Sequence, residues 1–142
     1  MQTDTSLPTV LLVEESEDDA FFFERTLQKA GRIGCVQRAA DGAEAIAFLR
    51  TALAGPPEKL PRVVFLDLKM PVLNGFEVLE WMATEPFPPE MRVIVLSGSD
   101  HHEDRSRAAQ LGATDYLVKP VRVRDLQKLL PDICPKEAGA QV

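Results

Sequence analysis

Several polar residues of this sequence directly follow short apolar segments, and their chemistry is complementary. Glu14 and Glu15 follow one such segment, Asp67 follows another, and Ser97 and Lys119 follow two more. Carboxylates held close together raise one another's pKa unless a cation binds them, and oxygen ligands suit Mg²⁺. A lysine and a hydroxyl beside them would complement a tetrahedral anion. The set predicts a site for Mg²⁺ and a phosphoryl group, with Asp67 as nucleophile because a single acid ends the central apolar segment.

The apolar segments that would position these residues have the character of buried strands. They are short and apolar without alternation, which is typical of strands covered on both faces. We predict strands at 10–13, 35–39, 63–66, 92–96 and 116–118. A segment of helical period follows each, so the pattern predicts five strand–helix repeats and a parallel sheet covered by helices. Ligands of such sheets bind beyond the carboxyl ends of the strands, where the polar residues would meet.

The helical segments have start and stop residues of the usual types. Ser16 is a predicted N-cap, the acids at 17–19 suit the positive helix end, and Gly31 is a predicted stop. A polar helix is predicted over roughly 102–111, and Pro131 would end the last helix. The proline-rich stretches 54–61 and 84–90 are predicted loops without helical or strand pattern.

Length and composition predict one ordinary globular domain. The chain has 142 residues and a formal net charge of -6, which argues against nucleic-acid binding. No apolar run reaches the length of a membrane span, and the first residues lack the pattern of a signal peptide, so we expect a cytoplasmic protein. We expect a domain over 9–131, with an N-terminal tail at 1–8 and a C-terminal tail at 132–142.

Taken together, the motifs "LLVEE", "VVFLDLKMPVLNG", "VIVLSGSD" and "GATDYLVKP" resemble the receiver domain of bacterial two-component response regulators. The resemblance covers about residues 9–130, and the motifs occur in order at the predicted strand ends. It implies a doubly wound, flavodoxin-like α/β fold with five parallel strands in the order 2-1-3-4-5. It also implies a signalling protein that assists its own phosphorylation and dephosphorylation and is not a conventional enzyme.

The resemblance assigns a role to each residue that matches a family motif. Asp67 would accept the phosphoryl group, and Ser97 and Lys119 would contact its oxygens. The implied Mg²⁺ ligands are Glu14, Glu15, Asp67 and the backbone carbonyl of Lys69. The peptide bond between Lys119 and Pro120 would be cis, and Ser97 and Tyr116 would be the switch residues. When Asp67 is phosphorylated, Ser97 would move inward and Tyr116 would fill the vacated space.

Two positions depart from the family pattern. The second acid of the pair is usually aspartate, and Glu15 is one methylene longer, although Mg²⁺ demands near-ideal octahedral geometry. Glu15 could reposition the metal, weaken its binding, or fold back and bind. Lys69 places a cation beside the phosphorylation site, where it could pair with Glu14 or Glu15 or shield the acyl phosphate from water.

The leading functional hypothesis is a stand-alone, single-domain response regulator that a sensor histidine kinase phosphorylates. The two proline-rich loops further resemble those of receivers that phytochrome-type kinases phosphorylate. Output would pass to a downstream protein or phosphotransfer partner, without nucleic acid or membrane, and the family also allows a homodimer through the fifth strand and last two helices. The alternative is a degenerate receiver that docks proteins regardless of phosphorylation because Glu15 spoils the metal site. A phosphohydrolase ranks low, because Lys69 stands where such enzymes place their acid/base aspartate.

Other residues are assigned structural roles. Phe21 and Phe22 would widen the core-facing stripe of the first helix, and Cys35 would be a small core residue. Adjacent histidines do not share a helix face, so a metal site at His101 and His102 is not expected. Asp18 and Asp19 are expected to act as helix-start charges, and Trp81 as a packing residue.

Overall fold

The computed structural model describes residues 9–31, 33–70, 73–98 and 101–131. The tails predicted at 1–8 and 132–142 lie outside this part of the chain. The strands are β1 Thr9–Val13, β2 Cys35–Ala39, β3 Val63–Asp67, β4 Arg92–Ser97 and β5 Asp115–Val118. The helices are α1 Glu17–Ala30, α2 Gly42–Ala54, α3 Gly75–Met82, α4 His102–Gln110 and α5 Val123–Leu129. A 3-10 turn at Pro57–Lys59 lies within 54–61, where the sequence was expected to lack helical structure.

The five strands form one parallel sheet in the order β2-β1-β3-β4-β5, which confirms the predicted fold class. The register brings the carboxyl ends of the strands to one edge. Val13 pairs with Leu66, Asp67 pairs with Leu96, and Ser97 pairs with Val118. The strand ends named by the sequence therefore meet where a doubly wound sheet binds its ligands.

The three central strands of the sheet are buried on both faces because helices cover each face. Leu11 and Val13 point into one core layer, which α2, α3 and α4 close. Val10 and Leu12 point into the other, which α1 and α5 close. All five residues of β3 are buried, which explains why this strand is apolar without alternation. Trp81 packs against the first layer, as expected.

Local chemistry fixes the helix starts on the side of the sheet that carries the site. The Ser16 side chain accepts a hydrogen bond from the backbone N–H of Asp19, as predicted for an N-cap. Asn74 and Glu77 form a capping box at the start of α3. Gly75 must lack a side chain, because a Cβ there would stand 2.6 Å from the carbonyl oxygen of Asp67. Helix α3 therefore begins in direct contact with the end of β3.

Two core predictions were wrong. Phe21 and Phe22 are 57% and 67% exposed, because each helical residue turns by about 100° and the buried stripe of α1 follows Ala20 and Phe23. Cys35 is exposed because it begins β2, an edge strand in which burial alternates. Among the described residues, no helix is long and apolar enough to cross a membrane.

Candidate functional site

The site is built by residues that continue the sheet one step past its strand ends. The backbone N–H of Glu14 donates to Ala39, and the N–H of Lys119 donates to the carbonyl oxygen of Ser97, at 3.0 and 2.7 Å. Asp67 is itself the last residue of β3. These bonds hold the functional side chains on the parallel ladder, so their backbone positions are as fixed as those of the core strands.

Lys119 joins the acidic residues of the site. Its Nζ lies 2.8 Å from Glu14 Oε1, 3.5 Å from Asp67 Oδ2 and 3.6 Å from Asp19 Oδ2. Glu14 and Asp67 are buried, at 3% and 6% exposure, whereas the side chain of Asp19 is 55% exposed. The structure thus brings together three of the predicted residues, Glu14, Asp67 and Lys119, and it adds Asp19, which the sequence assigned only to the start of α1.

The protonation behaviour of the site follows from burial and from the charges around Lys119. Burial and the negative charge of Glu14 raise the pKa of Asp67 to about 6, although Lys119 and the backbone N–H of Lys69 act in the opposite direction. Burial alone would lower the pKa of Lys119, but its hydrogen bond to Glu14 and the charges of Asp67, Glu14 and Asp19 outweigh burial and raise it. Lys119 is therefore a fixed cation, and Asp67 is a carboxylate without full compensation.

Glu15 does not join this group. Its side chain is exposed, and the described residues include no set of three or more acidic, histidine or cysteine side chains placed to hold a metal ion. The three-carboxylate cluster expected from the sequence is thus present as a pair, Glu14 and Asp67.

The donor set still fits the chemistry of Mg²⁺. Two buried carboxylates offer hard oxygen ligands, and burial together with the negative charge of Glu14 raises the pKa of Asp67, which favours a cation beside the pair. Glu15 follows Glu14 directly, and its exposed side chain has room to turn. The Asp67 carboxylate is also held by its surroundings, since Oδ1 accepts a hydrogen bond from the backbone N–H of Lys69 at 3.2 Å. The side chain of Lys69 is exposed, and the cation beside Glu14 is Lys119.

The remaining predicted residues occupy the β4 and β5 side of the site. Ser97 is buried at the end of β4. The Lys119–Pro120 peptide bond is cis. Tyr116 lies in β5, half-buried against the first core layer, and the guanidinium of Arg105 on α4 stacks over its ring at 4.6 Å. The predicted switch residues thus lie on adjacent strands, next to α4.

Two contacts of the site involve residues that sequence reasoning missed. The Arg38 side chain on β2 donates to the backbone carbonyl oxygens of Glu14 and Glu15 at 3.0 and 2.9 Å. Asp19 pairs with Lys119, as described above. A helix-start acid and a strand arginine are both common on protein surfaces, so their residue types carried no signal. Only the packing of β2 and α1 beside β1 reveals them.

Comparisons with known proteins identify the family of the chain and agree with its fold. The family model for the response regulator receiver domain matches residues 10–131. Transcriptional regulatory protein PrrA of Mycobacterium leprae is 38% identical over 126 residues, which cover 89% of this chain and 49% of PrrA. The chain therefore spans about half the length of that relative.

Two solved structures have similar folds and similar lengths. The bacteriophytochrome response regulator AtBRR has a TM-score of 0.70 and 31% identity, over 89% of this chain and 92% of AtBRR. The Mn²⁺-bound form of response regulator Rcp1 has a TM-score of 0.68 and 29% identity, over 89% of this chain and 91% of Rcp1.

Proposed function

Because the chain belongs to the response regulator receiver family, we propose that Asp67 accepts a phosphoryl group from a sensor histidine kinase. Phosphorylation then changes the protein-binding surface of the domain. The observation that carries the proposal is the contact of Lys119 with both buried carboxylates, 2.8 Å from Glu14 and 3.5 Å from Asp67. A buried nucleophilic carboxylate beside a fixed cation is what phosphoryl transfer to an aspartate needs.

The chemistry is a displacement at phosphorus. A carboxylate oxygen of Asp67 forms the new bond to phosphorus, while the bond to the phosphohistidine nitrogen breaks and its electron pair stays on the ring. With a pKa of about 6, Asp67 is largely ionised at neutral pH and available as a nucleophile. Lys119 faces the incoming oxygens and offsets their negative charge.

A divalent cation would offset the remaining charge. Glu14, Asp67, a Glu15 side chain turned inward and the carbonyl oxygen of Lys69 would hold Mg²⁺. When bound, the ion supplies charge stabilisation for the oxygens of the transferring group. The Mn²⁺-bound form of Rcp1 lends support to a divalent ion in a protein of similar fold.

The switch then depends on residues of β4 and β5. Ser97 would bond to a phosphoryl oxygen, and Tyr116 would move into the space that Ser97 leaves. Because Tyr116 contacts Arg105 on α4, its movement would alter the surface formed by α4, β5 and α5. That surface is proposed to bind the downstream protein or phosphotransfer partner, or a second copy of the chain, through a shift in population between two states.

The kinase would approach from the α1 side of the site. A cavity of about 490 Å³ opens beside Lys119, and residues of α1 and of the segment after β5 line it, including Phe22, Phe23, Thr26, Pro120 and Val121. Its apolar wall suits a protein surface that brings a phosphohistidine to Asp67. The likeness to AtBRR supports the narrower proposal of a phytochrome-type kinase.

A direct test is incubation with Mg²⁺ and acetyl phosphate, followed by intact-mass measurement. Wild type should gain the mass of one phosphoryl group, and Asp67→Asn should gain none. Absence of an adduct on wild type, even with its cognate kinase, would refute the proposal. It would favour a degenerate receiver that docks proteins without phosphorylation, a candidate supported by the exposed position of Glu15.

Lys69 is proposed to shield the acyl phosphate from water. Its backbone N–H already holds Asp67, and its exposed side chain lies two residues from the nucleophile. Lys69→Ala should therefore shorten the lifetime of the phosphorylated protein in the presence of Mg²⁺. Equal rates of label loss in the variant and in wild type would exclude a shielding role.

A further inference from the structure

Arg38 makes a two-point contact with the loop that carries the acidic pair. It lies in β2, in register with Leu12 of β1. Its Nε donates to the carbonyl oxygen of Glu14 at 3.0 Å, and its Nη2 donates to the carbonyl oxygen of Glu15 at 2.9 Å. A guanidinium presents several N–H donors in one rigid plane, so it can satisfy both carbonyls at once, which an ammonium does less well.

These two bonds restrict the direction in which the Glu15 side chain leaves the backbone. The carbonyl of Glu14 belongs to the peptide plane before the Cα of residue 15, and the carbonyl of Glu15 belongs to the plane after it. Because peptide units are planar, residue 15 has only two soft backbone dihedrals between these planes. Arg38 holds both planes, so it restricts both dihedrals and with them the direction in which the Cβ leaves the backbone.

This restriction matters because Glu15 is a long side chain with a demanding target. Glutamate has one more rotatable bond than aspartate, and Mg²⁺ binds at short distances in near-octahedral geometry. Glu14 is already held in place, since its carboxylate bonds Lys119 and accepts from the backbone N–H of Ser16 at 3.2 Å. The side chain of Glu15 is exposed, and the two hydrogen bonds from Arg38 hold the backbone on either side of its Cα.

We propose that Arg38 is a positioning residue for Mg²⁺ binding, which orients Glu15 through the two backbone carbonyls that flank its Cα. The inference rests on the proposed function, because it takes Glu14, Glu15 and Asp67 as the residues that bind the ion. Arg38 touches neither the ion nor the phosphoryl group. Its removal should weaken metal binding while leaving the nucleophile and Lys119 in place.

The test is titration calorimetry of the full chain with MgCl₂. Arg38→Gln should raise the Mg²⁺ dissociation constant by about tenfold, the lower end of what the loss of a supporting contact costs at a metal site. Arg38→Lys should fall between Gln and wild type, because lysine keeps the charge without the two-point geometry. Lys59→Gln removes the same charge from an exposed residue before β3, at the opposite end of the sheet, and should bind like wild type.

A second pair of variants identifies the route of the effect. In a Glu15→Ala background, the further change Arg38→Gln should alter Mg²⁺ affinity by less than about twofold, since the residue it positions is gone. An undiminished effect of Arg38 in that background would overturn the proposal. So would unchanged Mg²⁺ affinity in Arg38→Gln accompanied by a lower unfolding temperature, because that pattern marks a purely structural contact.

Failure of this inference can be told apart from failure of the proposed function. If wild type binds Mg²⁺ but never gains a phosphoryl group, the proposed function fails, and the calorimetric result for Arg38 still stands on its own. If wild type accepts the phosphoryl group and Arg38→Gln binds Mg²⁺ as tightly as wild type, only the role of Arg38 fails. Wild type that binds no Mg²⁺ overturns the role of Arg38 as well.

Discussion

Replacing Asp67 with asparagine should stabilise the metal-free protein above neutral pH. Folding buries this carboxyl beside Glu14 and raises its pKa from 3.8 to about 6. A tenfold change in a proton-binding constant corresponds to about 1.4 kcal/mol, so the ionised group costs the folded state about 3 kcal/mol. Asparagine removes that charge and keeps an oxygen that can accept from the N–H of Lys69. The expected gain is about 2 to 3 kcal/mol.

The gain depends on pH with a definite sign. Between the two pKa values the folded state binds more protons than the unfolded state, so stability falls as the pH rises. The penalty in wild type is absent below about pH 4 and complete above about pH 7. We therefore expect urea unfolding in EDTA, repeated across this pH range, to give equal free energies of unfolding for wild type and Asp67→Asn at the acid end. At the basic end, the free energy of unfolding should be higher for Asp67→Asn.

A matched control separates this effect from a change in net charge. Glu90 is an exposed loop residue, and Glu90→Gln removes the same charge, so its free energy of unfolding should stay within about 0.5 kcal/mol of wild type. Mg²⁺ should stabilise wild type and narrow its difference from Asp67→Asn. If Asp67→Asn were no more stable than wild type in base, or if its advantage were the same at every pH, the reasoning from burial and repulsion would be wrong.

Substitutions at three further positions test other parts of the structure. Glu15→Asp should lower the Mg²⁺ dissociation constant by about tenfold in calorimetry, because the shorter side chain suits the metal geometry, and equal or weaker binding would contradict this. Asn74→Ala should lower the free energy of unfolding by about 1 kcal/mol in urea, because the capping box with Glu77 is lost, whereas Asn74→Asp should change it little. Arg105→Ala should remove a cation–π contact worth about 0.5–1 kcal/mol and shift the NMR signals of the Tyr116 ring, and unshifted signals would refute the contact in solution.

The sequence predicted the three central strands β1, β3 and β4 well because they are buried on both faces. The predicted 35–39 strand matches β2, and the other four strands differ by one residue at an end. Phe21 and Phe22 were misplaced for the opposite reason, because an apolar residue type does not say which way a helix faces. Cys35 failed because an edge strand exposes alternate residues.

The site could be predicted only where it depends on strand ends. Glu14, Asp67 and Lys119 meet because parallel strands bring their carboxyl ends together, a rule that needs no knowledge of packing. The partners of Asp19 and Arg38 depend on how α1 and β2 sit against β1, and that arrangement is tertiary. Glu15 stays a predicted metal ligand, because its side chain is exposed and the strand-end rule does not fix where a long side chain points.

Charge balance also explains how Lys119 could form ion pairs in both the unmodified and the phosphorylated site. Its contact with Asp19 joins a side chain that is 55% exposed, and such pairs are worth about 0–1 kcal/mol because water replaces them readily. Its contact with Glu14 involves a carboxylate that is only 4% exposed, and breaking it would leave that carboxylate without its cation, at a much larger cost. If Asp67 is phosphorylated as proposed, we therefore expect the phosphoryl group to draw Lys119 away from Asp19 at little cost, while Glu14 would keep the ammonium within the site.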